Sequence, residues 1–130
     1  MSLKALEYAL PLAKKLKSKL ILLHIVEPVA TPDFAYFPLA LDDDAAKKAA
    51  TSKMEGLCKK FKIPASLVDR ILVRVGVPFH EITEAARSLK VGMIVLTTHG
   101  FTGLKHVLMG STAERVVRHA RCPVLSVRDS

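Results

Sequence analysis

Residues 97–114 read Thr-Thr-His-Gly-Phe-Thr-Gly-Leu-Lys-His-Val-Leu-Met-Gly-Ser-Thr-Ala-Glu. The segment leaves an apolar run, Gly92 to Leu96, and enters a stretch with helical periodicity. Gly100 and Gly103 let the backbone approach a ligand closely. Gly110 does the same just ahead of a helix whose first N–H groups lack intrahelical partners. Those donors and the helix dipole favour a phosphate. The hydroxyls of Thr97, Ser111 and Thr112 add donors, and His99 is either a phosphate contact or a loop-surface histidine. A ligand-free reading stands beside this one. Ser111-Thr112-Ala113-Glu114 fits the S-x-x-E capping box, in which the serine and glutamate satisfy the helix end by themselves. The spacing fits neither a Walker A loop, since no Gly-Lys-Ser/Thr follows four spacers, nor the G-x-G-x-x-G dinucleotide fingerprint.

Other chemistry-bearing residues are scattered. His24 lies within an apolar run and reads as a hydrogen-bonded core histidine. His80, His106 and His119 have no neighbours at metal-ligand spacing, so no metal site is expected. No Ser–His–Asp or Cys–His arrangement is evident, and no catalytic residue is assigned. Cys58 and Cys122 are the only cysteines. Lys59, Lys60 and Arg121 could depress their pKa values, but ordinary thiols are expected.

The elements that must position the loop follow from the rest of the chain. Its 130 residues are half apolar and carry a net charge of +8. That bounds it to one domain over 1–130 and excludes disorder and a disulfide scaffold. No apolar run approaches the ~18–20 residues a membrane helix needs. Lys4 and Glu7 break any signal-peptide core, so a cytoplasmic protein is expected. The basic residues are spread over several segments, tryptophan is absent, and a nucleic-acid surface is not expected.

Helical spacing places a helix over 2–17, with a kink or break at Pro11. Lys19 to Val26 suits a strand buried on both faces. Pro28 to Leu41 reads as a loop. Asp42, Asp43 and Asp44 open a helix running to about Phe61. Strands are expected at 71–76, 92–97 and 123–128. Helices are expected from Pro78 and over 111–119. The alternation implies βα crossovers and a doubly wound parallel α/β sheet. Such folds usually open on a strand, whereas this chain opens on a helix.

The segment from Thr98 to Arg128, with HIVEP after the first strand and GVPFHEITEAARSLKVGMIVL, resembles the universal stress protein family. The resemblance extends over essentially the whole chain. The family signature is G-x2-G-x9-G-[S/T]. Gly100 and Gly110-Ser111 fit its second half, while Thr97 stands at its first glycine. The resemblance implies a Rossmann-like, adenine nucleotide alpha hydrolase-like fold of three α/β/α layers, strand order 3-2-1-4-5. It implies ATP or AMP binding, possible magnesium, and a homodimer paired along the last strand. Ile25 and Leu96 match adenine-side positions. Thr97, His99, Gly100, Gly110, Ser111 and Thr112 match the phosphate side. It implies a stress-response regulator, at most a slow ATPase. The alternative is a dimeric scaffold of the same fold that binds no nucleotide. The family's first strand and its adenine-holding aspartate would precede Ser2. Their absence predicts a gap between the strands at 20–26 and 92–97, closed by those strands or filled by another chain.

Overall fold

A computed structural model describes residues 3–28, 43–98 and 110–128. The loop expected over Pro28 to Leu41 lies almost wholly outside them, as does most of the segment between Thr98 and Gly110.

The chain alternates helix and strand as its periodicity implies. The elements are α1 (Leu3–Leu16), β1 (Leu20–Val26), α2 (Asp43–Lys60), β2 (Val68–Val75), α3 (Pro78–Ser88), β3 (Ile94–Thr97), α4 (Ser111–His119) and β4 (Val124–Val127). A short 3-10 turn, Ala65–Leu67, sits between α2 and β2 and lets that strand start three residues before the expected Ile71. Helix α1 runs through Pro11 unbroken. Proline takes its own amide out of the ladder and its ring crowds the carbonyl four residues earlier, yet at this exposed position the helix continues past it.

Every strand pair is parallel, but the strands form two separate pairs. β1 joins β2, with Leu22 opposite Ile71 and Ile25 opposite Arg74. β3 joins β4, with Ile94 opposite Val124 and Thr97 opposite Val127. Among the described residues no strand joins β1 to β3. Counting β1 as the family's second strand, the two pairs are the 3-2 and 4-5 neighbours of the 3-2-1-4-5 order. Helix α1 packs against β1, β3 and β4 and so ties the two pairs together. Helices α3 and α4 form a second bridge, packing on each other while α3 contacts β1 and α4 contacts β4.

The core lies under α1 and α2. Leu6, Leu22, Met54 and Ile63 are buried there, ringed by Leu10, Leu20, Cys58, Val68, Ile71 and Val73. The expectation that β1 is buried on both faces is corrected: only Leu22 is buried and the rest of Leu-Ile-Leu-Leu-His-Ile-Val is half-buried. A parallel strand paired on one edge lacks a neighbour whose side chains would shield its own. His24 also departs from expectation. It is half-buried, no hydrogen bond to it is present among the described residues, and burial, aided by nearby positive charge that includes Lys53, lowers its pKa.

Three helix ends share one device. Lys17, Lys62 and Lys90 have φ of 52°, 50° and 52°. Each follows its helix in the left-handed region, and the next residue's N–H closes a Schellman bond. Ser18 donates to the Ala13 carbonyl at 3.0 Å, Ile63 to Cys58 at 2.9 Å and Val91 to Ala86 at 3.1 Å. Glycine usually fills this position, because a Cβ there costs ~1–2 kcal/mol. Lysine recovers part of that cost by placing a cation at the negative end of the helix dipole. Part of the basic excess therefore sits at helix ends.

Two predictions follow from these elements. Lys62→Gly relieves the left-handed strain, and Gly56→Ala fills open space in the middle of α2. Each is expected to stabilise the chain by about 0.5–1 kcal/mol, read from urea denaturation midpoints. Lowered below its ordinary 6.5, the pKa of His24 makes the unfolded chain take up the proton first as pH falls. The contribution of His24 is thus fully present above that value and lost on acidification. Between pH 7.5 and pH 5 the parent should lose more stability than His24→Gln, measured as thermal midpoints at each pH.

Candidate functional site

The site is built where β3 hands the chain to α4. Thr98, just past the strand and 6 % exposed, is held from two sides. Its N–H donates to the Val127 carbonyl at 2.9 Å, extending the β3–β4 ladder, and its carbonyl accepts the Gly110 N–H at 2.5 Å. The second bond pins the start of α4 to the end of β3. Its inward side adds to the hold, since Ala113 and Val116 are 3 % and 0 % exposed.

Gly110 is the N-cap of α4, extended at φ −66° and ψ 156°, and among the described residues no side chain caps the helix. The first intrahelical bond runs from the Glu114 N–H to the Gly110 carbonyl at 3.0 Å. The amides of Ser111, Thr112 and Ala113 are the first-turn donors that a helix cannot satisfy internally. This corrects the capping-box reading. Ser111 is the first helical residue rather than the cap, and Glu114 turns away to bond Arg118 at 2.7 Å. The capping geometry needs the serine one position earlier, where this chain has glycine. The Ser111 hydroxyl is exposed at a helix end with positive dipole character. Amides, hydroxyls and dipole together suit an anion.

The structure brings Leu96, Thr97, Gly110, Ser111 and Thr112 to this one joint. Ile25 stands on the other strand pair, near the end of β1. His99 and Gly100 lie outside the described residues. Among the described residues no three His, Cys, Asp or Glu side chains gather as metal ligands. Burial first, then the charge of Glu55, raises the Cys58 pKa, so its neighbouring lysines do not activate it. His119 is engaged in packing instead, its ring 5.5 Å from that of Phe79, with the Arg115 guanidinium 5.2 Å from the same Phe79 ring.

Residues at the far end of β1 and β2 escaped the sequence reading. The Gly76 N–H donates to the Val26 carbonyl at 3.0 Å and closes that strand pair. Gly76 has φ +153°, and a Cβ there would stand 2.9 Å from the Cγ of Glu81. Glu81 in turn faces Arg74 at 3.6 Å, beside the register position of Ile25. The signal was present as glycine after a strand, Pro78 opening the helix and an acid in its first turn.

The sequence pattern of the universal stress protein family matches residues 1–128. The chain belongs to the universal stress protein family. It is 33 % identical to the universal stress protein YxiE of Bacillus subtilis, an alignment covering 98 % of this chain and 91 % of that one. The universal stress protein UspA from Lactobacillus plantarum superposes with a TM-score of 0.76 at 26 % identity, over 95 % of this chain and 87 % of that one. A universal stress protein solved in complex with cAMP superposes with a TM-score of 0.59 at 26 % identity, over 99 % of this chain and 88 % of that one. The fold is therefore the Rossmann-like α/β fold of this family, with Thr97 where the family signature carries its first glycine.

Gly76→Ala should destabilise the chain by about 1–3 kcal/mol, since the backbone there suits glycine alone. Adding Glu81→Ala removes the contact but not the backbone strain. The double variant should keep most of the loss in urea denaturation.

Proposed function

We propose that this universal stress protein is a cytoplasmic stress-response regulator whose 1–130 domain binds an adenine nucleotide at the joint of β3 and α4. The observation that carries the reading is the Gly110 to Thr98 hydrogen bond, which holds an uncapped helix N-terminus against the end of β3. A phosphate there would take the amides of Ser111 and Thr112 and the Ser111 hydroxyl. Gly100 and His99 would belong to the same phosphate side, with Thr97 offering a hydroxyl in place of the family's glycine. Leu96 and Ile25 would flank the adenine. The relative in complex with cAMP supports an adenine nucleotide as the ligand class. Magnesium would accompany a triphosphate.

A second reading, a homodimeric scaffold that holds no nucleotide, draws support from the separation of the two strand pairs. Ile25 and Leu96 stand on different pairs, and among the described residues no strand joins those pairs on the adenine side. Either reading uses the β4 edge for the homodimer, a four-residue apolar edge that is a template for pairing.

Calorimetric titration with ATP and magnesium, and with cAMP, tests the first reading. Weak binding is expected. Each adenine-side or charge-assisted hydrogen bond that is not made costs ~1.5–3 kcal/mol, or roughly ten- to a hundredfold in affinity. Gly110→Val should abolish the residual binding, because its side chain fills the space in front of the amides. Binding by Gly110→Val equal to that of the parent would mean the site lies elsewhere. Sub-micromolar ATP binding by the parent would overturn the expectation of weakness, and no binding of either nucleotide would favour the scaffold.

A further inference from the structure

The fold gathers cations that the sequence spreads. Helix α1 ends in Lys14 and Lys15, and Lys17 and Lys19 lead from it to β1. Helix α2 ends in Lys59 and Lys60, and Lys62 follows on the way to β2. β1 and β2 are parallel, with Leu20 opposite Val68 at the start of both. The two lysine-bearing segments therefore reach the sheet at the same end. Helix α1 also packs against the 3-10 turn, Ala65–Leu67, just beyond Lys62. All seven lysines are exposed. The acids nearest them along these segments are Glu55, a turn before Lys59, and Asp69, which Arg70 holds at 2.8 Å. A helix dipole amounts to about half an elementary charge at each end, so two helix ends do not account for seven cations.

Two large apolar side chains stand among these lysines. Leu16, the last residue of α1, is 57 % exposed, and Phe61, just past α2, is 43 % exposed. The Lys60 ammonium lies 5.7 Å from the centre of the Phe61 ring. Neither side chain belongs to the core, which α1 and α2 reach through Leu6 and Met54. Leucine and phenylalanine in water, flanked by lysines, make the kind of surface that settles on an acidic bilayer. Long lysine stems let the ammonium groups stay at the headgroups while apolar neighbours sink below them. The cations at these helix ends are all lysine, point charges suited to a diffuse field of lipid charge. Arginine, with its planar fork, is the usual choice for reading nucleic acid.

We propose that the end of the molecule where β1 and β2 begin is a docking surface for an anionic phospholipid bilayer. Leu16 and Phe61 enter the headgroup layer, and the lysines around them pair with lipid phosphates and carboxylates. The attraction is to the negative surface potential of the bilayer and acts within a Debye length of it. The chain lies on the membrane rather than across it, and among the described residues no helix is long and apolar enough to cross one. The inference is independent of nucleotide binding and is tested without nucleotide.

The probes are vesicles of phosphatidylcholine mixed with phosphatidylserine, and vesicles of phosphatidylcholine alone, each sedimented with the full chain. The chain should sediment with the acidic vesicles and stay in solution with the neutral ones. Raising the salt from about 0.1 M to about 0.5 M should weaken binding at least tenfold, because screening shortens the reach of the lysines. The triple variant Lys15→Gln, Lys19→Gln, Lys59→Gln changes exposed side chains only. It should bind about a hundredfold more weakly, since each lysine near an acidic surface contributes roughly fivefold. The chain has no tryptophan, so Phe61→Trp supplies a single reporter. Its emission should shift to the blue on acidic vesicles and be quenched by brominated acyl chains. No sedimentation with acidic vesicles, equal binding to neutral ones, unchanged binding by the triple variant, or an unshifted Phe61→Trp emission would each overturn the proposal. So would tighter binding to a short DNA duplex than to acidic vesicles, which would assign the surface to nucleic acid.

Discussion

A backbone amide away from water must be hydrogen-bonded, and this constraint shapes the molecule more than any side chain does. Among the described residues β1 satisfies it by pairing with β2 and β3 by pairing with β4, both parallel. The described strands thus form two half-sheets, tied together by helices. α1 carries most of that duty, since it touches strands of both pairs. Its apolar stripe of Leu6, Ala9 and Ala13 is buried, whereas Leu3 and Leu16 at its ends stay exposed at 41 % and 57 %. Small residues at positions 9 and 13 let the helix sit close to strands. The core cluster of Leu6, Leu22, Met54 and Ile63 then forms mainly over one half-sheet.

The same accounting explains the site. Thr98 spends its two main-chain groups on different elements, the N–H on β4 and the carbonyl on α4. A residue used in this way fixes the helix start relative to the sheet through its main chain. Glycine at position 110 suits the role, because it caps without a side chain that would fold back over the first-turn amides. A serine or aspartate there would satisfy one of those donors internally and compete with an anion. The open helix end is thus a consequence of which residue stands at the cap.

How much of this was legible in the sequence depended on whether the signal was periodic or relational. α4 was readable to the residue, since Gly110 and the buried spacing of Ala113 and Val116 bracket it. α1, α2 and α3 were legible within a residue or two. β2 was read three residues short, because Asp69 and Arg70 look like loop residues when they are edge residues. Ser111 was assigned the cap because S-x-x-E is a local pattern, and its register against the helix depends on the Thr98 bond, which no local pattern encodes. The Gly76, Glu81 and Arg74 arrangement was missed for a related reason. Its parts lie on a strand, a turn and a helix, and only the φ of Gly76 brings them together. The burial of β1 was over-read, since apolar composition states what a strand can bury and its neighbours decide what it does bury.

The lysine-terminated helices add a last step. Three left-handed lysines each carry a strain that glycine would relieve, yet each adds a positive charge at the C-terminal end of its helix, where the dipole is negative. Charge at those ends is partly spent against the helix dipoles. The positive character at the start of α4 has a different origin, in first-turn amides that have no partner within the helix rather than in side chains, and Glu114 is the only acid in that first turn. A diffuse positive field draws anions toward the whole molecule, whereas only the amides at a fixed, uncapped helix start can hold one in place. Attraction and fixation are therefore separable here. Salt should weaken the first strongly and the second less, because screening acts on exposed charges at a distance and little on donors in contact with the ligand.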